Sequence, residues 1–93
     1  MVTKQIKGLW VPLELLQNEE LTPSEKLVLA EIFALSKDGQ CTASNQHIAD
    51  VVGLGVRYVE KITASLAKKE YIKTKLFRDE KKIIRRVIIP ILL

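Results

Sequence analysis

Thr22-Pro23-Ser24-Glu25 opens the segment that most limits what this chain can become. Thr22 supplies a capping hydroxyl, and Pro23 stands at a first helical position, where its missing N–H does no harm. Glu25 follows the cap by three residues, within reach of the cap's own amide. The run behind it, Lys26-Leu27-Val28-Leu29-Ala30-Glu31-Ile32-Phe33-Ala34-Leu35, is apolar over most of its circumference. A helix of that kind has to be covered on more than one side. The rest of the chain must therefore wrap around it, and Lys37-Asp38-Gly39 carries the turn chemistry that ends it.

The covering pieces can be found by period. Trp10-Val11-Pro12-Leu13-Glu14-Leu15-Leu16 is apolar, with a proline that can open a short helical turn, and predicts a lid of one or two turns packed on the core. Gln40-Cys41-Thr42-Ala43 predicts a small edge strand. Ser44 caps a second helix over Asn45–Val52, which Gly53 stops. A third helix runs from near Gly55 to about Lys69. Val59, Ile62 and Leu66 fall on one of its faces, and Arg57, Glu60, Lys61, Ala64 and Lys68 fall elsewhere. Beyond Glu70 the period shortens: Tyr71–Phe77 and the β-branched run Ile83–Ile89 predict two strands, joined through a basic tip at Arg78-Asp79-Glu80-Lys81-Lys82. Ile72, Thr74 and Leu76 share a face of the first strand.

Composition bounds the function. At 93 residues, with 47% apolar and 28% charged residues, the whole chain, 1–93, is expected to be one globular domain rather than a disordered segment. One cysteine and one histidine supply neither a zinc ligand set nor a nucleophile beside a base, so no catalytic residue, metal or cofactor is expected. Gly53 and Gly55 begin a G-x-G pattern, but Tyr58 stands where the third glycine of a dinucleotide fingerprint belongs. Glu19 and Glu20 are adjacent on a polar connector and read as solvated surface. Cys41 cannot close an internal disulfide; it reads as a small buried hydrophobe of a reducing compartment. His47 reads as a partly buried neighbour of the turn. The N-terminus lacks a signal-peptide pattern, and the longest apolar run, Val87–Leu93, is far below the roughly 20 residues that span a bilayer. A cytoplasmic chain with no membrane contact is the expectation.

Charge is the positive clue. Residues 1–40 hold four basic and six acidic groups, and residues 41–93 hold eleven basic and five acidic, a split of −2 and +6 within the net +4. A basic C-terminal half fits contact with a polyanion; a solvated charged face is the alternative.

In Ile48-Ala49-Asp50-Val51-Val52-Gly53-Leu54-Gly55-Val56-Arg57-Tyr58-Val59 the sequence resembles the helix-turn-helix, with Ala49 as the small residue, Gly53 as the turn glycine and Val59 as the β-branched residue where two helices cross. An antiparallel helix pair with a glycine turn in any small bundle shares that local pattern. The wider order, a capped helix, a short strand, the helix pair and a basic hairpin, resembles the winged helix-turn-helix from Trp10 to Pro90. The resemblance implies an α+β fold, with a three-helix core, a C-terminal β-hairpin wing and a short N-terminal helical turn. Leu21–Leu29, Gly39–Asn45, Tyr58–Ile62 and Lys68–Ile72 are similar to N-terminal domains of phage and plasmid replication initiators and to other winged-helix proteins of mobile elements. That family usually carries Ser or Thr where Gly55 stands and Gly where Glu70 stands.

The resemblance implies a non-catalytic DNA-binding protein of replication or maintenance of a mobile element, on duplex or single-stranded DNA. The third helix would enter the major groove, bringing Val56, Arg57, Tyr58 and Lys61, with Ser65 further along, to the DNA. Arg57 suits a bidentate contact to guanine, with a phosphate contact or free solvent as the alternative. Ser44, Asn45 and Gln46 would hold a phosphate, although capping alone accounts for Ser44. Lys73, Lys75, Arg78, Lys81 and Lys82 would meet backbone or minor groove. Tyr58, Tyr71 and Phe77 could stack single-stranded bases, with core packing the other use of Tyr71 and Phe77. The apolar end Val87–Leu93 predicts a homodimer or replication-protein contact, or a cut where a longer protein continues. A transcriptional repressor and a protein-interaction module are the remaining readings.

Overall fold

A computed structural model describes residues 8–80 and 82–91. Among them the order is α1 (Leu13–Leu16), α2 (Pro23–Leu35), α3 (Asn45–Val52), α4 (Val56–Lys68), β1 (Ile72–Asp79) and β2 (Lys82–Pro90), the α+β arrangement of a winged helix-turn-helix.

The capping box at α2 is complete. The Glu25 amide donates to Thr22 Oγ1 at 3.2 Å, and the Thr22 amide donates to Glu25 Oε1 at 2.9 Å. Val28, Leu29, Ala30 and Ile32 are buried, so this helix is covered on several sides, as its composition requires. Around it pack Ile48 and Ala49 of α3, Val59, Ile62 and Leu66 of α4, and Ile72 and Ile88 of the hairpin.

The lid corrects its expectation in part. Leu15 is fully buried, but Trp10 is 78% exposed and Leu13 and Leu16 also face outward, because four helical residues can bury only one side. After α2 the chain straightens at Ser36, and residues 37–40 form a tight turn in which Asp38 (φ 53°) and Gly39 (φ 78°) both adopt left-handed backbone, the pattern of a type I′ turn. The expected edge strand at 40–43 shrinks to one bridge: Cys41 and Ile88 exchange two backbone hydrogen bonds of 2.8 Å.

β1 and β2 pair antiparallel, from Ile72 opposite Pro90 to Asp79 opposite Lys82, with a bulge between Phe77 and Arg78. Toward the tip, β1 runs two residues and β2 one residue further than expected. Ile72 is buried, while Thr74 and Leu76 on the same face of β1 are exposed; β2 stays covered further toward the tip, with Ile88 and Val87 buried opposite Thr74 and Lys75 and Arg86 half-buried opposite Leu76. Phe77 likewise lies on the exposed wing, at 45% exposure, and not in the core. No helix among the described residues is long and apolar enough to cross a membrane.

Candidate nucleic-acid interface

The turn between α3 and α4 forms as the glycine requires. Gly53 takes φ 74° and ψ 31°, and its amide and that of Leu54 both donate to the Ala49 carbonyl, at 2.9 and 3.1 Å, closing α3 in a Schellman-like end. Ala49 and Val59 are buried where the two helices cross. α4 then starts at Val56 with Gly55 as a cap that offers no side-chain bond.

α4 is divided by its burial. Val59, Ile62, Thr63 and Leu66 face the core. Arg57, Lys61, Ala64 and Lys68, spaced by four, three and four residues, are all exposed and form one outward stripe. Its only acidic neighbour on the helix is Glu60, which borders the stripe with Arg57, Lys61 and Ala64 along a shallow groove. Tyr58 stands at the flank, 47% exposed. Val56 is half-buried against the core, so only part of it reaches outward. Ser65 turns toward α2 and donates to Glu25 Oε2 at 2.8 Å. With Thr22, Tyr58, Lys61 and Lys69 this pair lines a groove of about 330 Å³ between α2 and α4.

At the start of α3 each candidate already has an intramolecular bond. Ser44 Oγ accepts from the His47 amide at 3.1 Å, Gln46 Nε2 donates to Asp50 Oδ1 at 2.8 Å, and Asn45 Oδ1 accepts from Arg86 Nη1 at 2.8 Å. His47 is exposed rather than partly buried, because it lies on the side of α3 turned from the core that holds Ile48 and Ala49.

On the wing, Lys73, Lys75 and Arg78 are exposed. Lys82 begins β2, and Lys81 lies outside the described residues. Two arginines absent from the sequence-based candidates join them. The Arg85 guanidinium lies 4.8 Å from the centre of the Phe77 ring, directly opposite it in the sheet. Arg86, on the other face of β2, is half-buried, and its Nη2 donates to the Ala43 carbonyl at 3.0 Å. The strand alternation of 83–89 separates the two arginines onto opposite faces, a signal present in the sequence. Burial lowers the Arg86 pKa, yet a guanidinium stays charged at any physiological pH.

Three sides of the molecule thus present cations or polar donors: the α4 stripe, the wing, and the junction between wing and α3. Among the described residues no group of three or more His, Cys, Asp or Glu is placed to hold a metal ion. Comparison with curated proteins and with solved structures returns no match. A family model described as a helix-turn-helix domain matches residues 19–72, more than half of the chain, and spans α2, α3 and α4. The chain therefore belongs to this helix-turn-helix family of DNA-binding domains.

Proposed function

We propose that the chain binds duplex DNA by laying α4 in the major groove, with the wing against the flanking backbone. The observation that carries this reading is the stripe of Arg57, Lys61 and Lys68 around Ala64, the outward side of a helix whose other side is locked into the core. A rigid helix with a cationic outer face matches the width and charge of the major groove. Arg57 and Lys61, in the first two turns, are the base-reaching candidates, and Lys68 a phosphate contact. Lys73, Lys75, Arg78, Lys81 and Lys82 of the wing supply further phosphate contacts. We place the biological role in replication or maintenance of a mobile genetic element, on the resemblance to replication initiators read from the sequence at 21–29, 39–45, 58–62 and 68–72.

The test is fluorescence anisotropy on a random duplex across about 50 to 200 mM salt, where several phosphate contacts give a steep loss of affinity. Affinity indifferent to salt would refute DNA binding and favour a protein-docking role. The exposure of both Tyr58 and Phe77 favours a second reading, binding of single strands by aromatic stacking. Competing oligo-dT against a duplex of equal length decides between them. A helicase or primase encoded beside this chain supports the replication role, and a divergent promoter there supports repression.

A further inference from the structure

The bridge between Cys41 and Ile88 lays the chain leading into α3 alongside β2. Two residues on from Cys41 and two back from Ile88, Ala43 comes opposite Arg86, and the guanidinium takes hold of both the Ala43 carbonyl and the Asn45 amide oxygen. Arginine has five N–H donors and no acceptor. An asparagine facing it must present oxygen, which turns the Nδ2 group the other way. Asn45 is half-buried, its Nδ2 has no partner among the described residues, and no polar side-chain atom there is both buried and unpartnered. The amide nitrogen therefore lies at the surface, in the junction between wing and α3.

We infer that Arg86 is a positioning residue: from the wing it fixes the Asn45 side chain so that its two N–H donors face outward, toward a DNA phosphate oxygen. An asparagine free to flip would offer a phosphate either a donor or a repelling oxygen; one gripped by Arg86 offers only donors. The same grip ties the wing to the helix-turn-helix, so that phosphate contact at α3 and contact by the wing are set by one side chain. This inference rests on the DNA-binding reading above.

Asn45→Asp separates the two roles. A carboxylate pairs with Arg86 at least as well as the amide does, so the melting temperature should equal or exceed that of the parent, whereas Asn45→Ala lowers it. On DNA the order reverses, because the introduced carboxylate would offer no donor and repel phosphate: Asn45→Ala is expected to weaken duplex binding about tenfold, the size of a hydrogen bond to a charged group, and Asn45→Asp more. Thr42→Asp, which puts the same charge on an exposed neighbouring residue, controls for general repulsion and should cost only a few-fold. Arg86→Lys keeps the charge but cannot span both acceptors; it should weaken binding in the parent and add little in the Asn45→Ala background. Loss of stability in Asn45→Asp, binding of Asn45→Asp equal to that of Thr42→Asp, or equal effects of Arg86→Lys in both backgrounds would each overturn the inference. A parent chain without salt-dependent DNA binding would instead overturn the functional reading, and this inference with it.

Discussion

The Lys69 ammonium, just past the end of α4, lies 3.1 Å from the carboxylate of Glu25 in the first turn of α2. Glu25 is buried and also accepts from the Thr22 amide and the Ser65 hydroxyl, so one carboxylate caps α2 and fastens α4 to it. Burial pushes the Glu25 carboxyl up, but the Thr22 amide, Ser65 and Lys69 together outweigh that and hold its pKa below the ordinary glutamate value. Because the folded-state pKa is the lower one, the stabilisation is present above the unfolded value, about 4.3, and is lost as pH falls through the folded value. Urea unfolding followed from pH 7 to pH 3 should show the parent losing stability over this acidic range, and Glu25→Gln losing less. Lys69→Met should cost about 1 kcal/mol at pH 7, a modest figure because the lysine is partly solvated.

The outward stripe of α4 makes a prediction about DNA. Arg57→Ala and Lys61→Ala should each weaken duplex binding, and each that removes a phosphate contact should reduce the slope of log affinity against log salt by about one. If Arg57 reads guanine, its loss also relaxes sequence preference, by about 1 to 3 kcal/mol at that base pair. Lys26→Gln, a basic residue held instead to the Leu16 carbonyl, should leave both affinity and slope unchanged. Equal binding by all three variants and the parent would remove α4 from the interface.

Glu70 has φ 68°, a left-handed backbone that a side chain resists and glycine does not. The conformation is imposed because the Tyr71 amide must donate to the Leu66 carbonyl to close α4, at 2.9 Å. Glu70→Gly should therefore stabilise the fold by about 1 kcal/mol, raising Tm by roughly 4–8 °C in a domain of this size. Gly55→Ser should add a smaller gain, a few tenths of a kcal/mol. Its φ is −70°, and a Cβ there meets nothing within 4 Å. Both changes are read by thermal melting.

Cys41 is fully buried, and burial raises its thiol pKa, so the thiolate that alkylating reagents attack is scarce and enclosed. Iodoacetamide should modify it in the native protein only as fast as the chain opens, and rapidly in urea. Fast labelling of the folded chain would contradict this packing.

What could be read in the sequence was what neighbours dictate. The Thr22–Glu25 capping box, the Ser44 cap, the Gly53 stop and the division of α4 into faces depend on spacings of three or four residues, and all form. Relations across the chain were not visible. Glu25 with Lys69, Asn45 with Arg86 and Tyr71 with Asn18 (2.9 Å) join residues more than 40 positions apart, and no local period marks them. Ser65 shows the consequence: on a helical wheel it borders the exposed basic stripe of α4, yet its hydroxyl is turned to a carboxylate on another helix. Exposure failed for the same reason. Trp10 and Phe77 look like core residues by type, but whether an aromatic is covered depends on what packs over it. At Phe77 that is the Arg85 guanidinium.

The bridge between Cys41 and Ile88 joins points about half a chain length apart, and its two hydrogen bonds close a loop that contains both α3 and α4. Closing a loop of this length carries an entropic cost, and contacts so far apart in sequence slow folding. Amide exchange at Cys41 and Ile88 should consequently track opening of the whole molecule, while the amides of the wing beyond Thr74 exchange by local fraying. The wing is thus anchored through a contact that spans α3 and α4, and a chain that has not closed it carries α4 without the strand that holds the wing to the body.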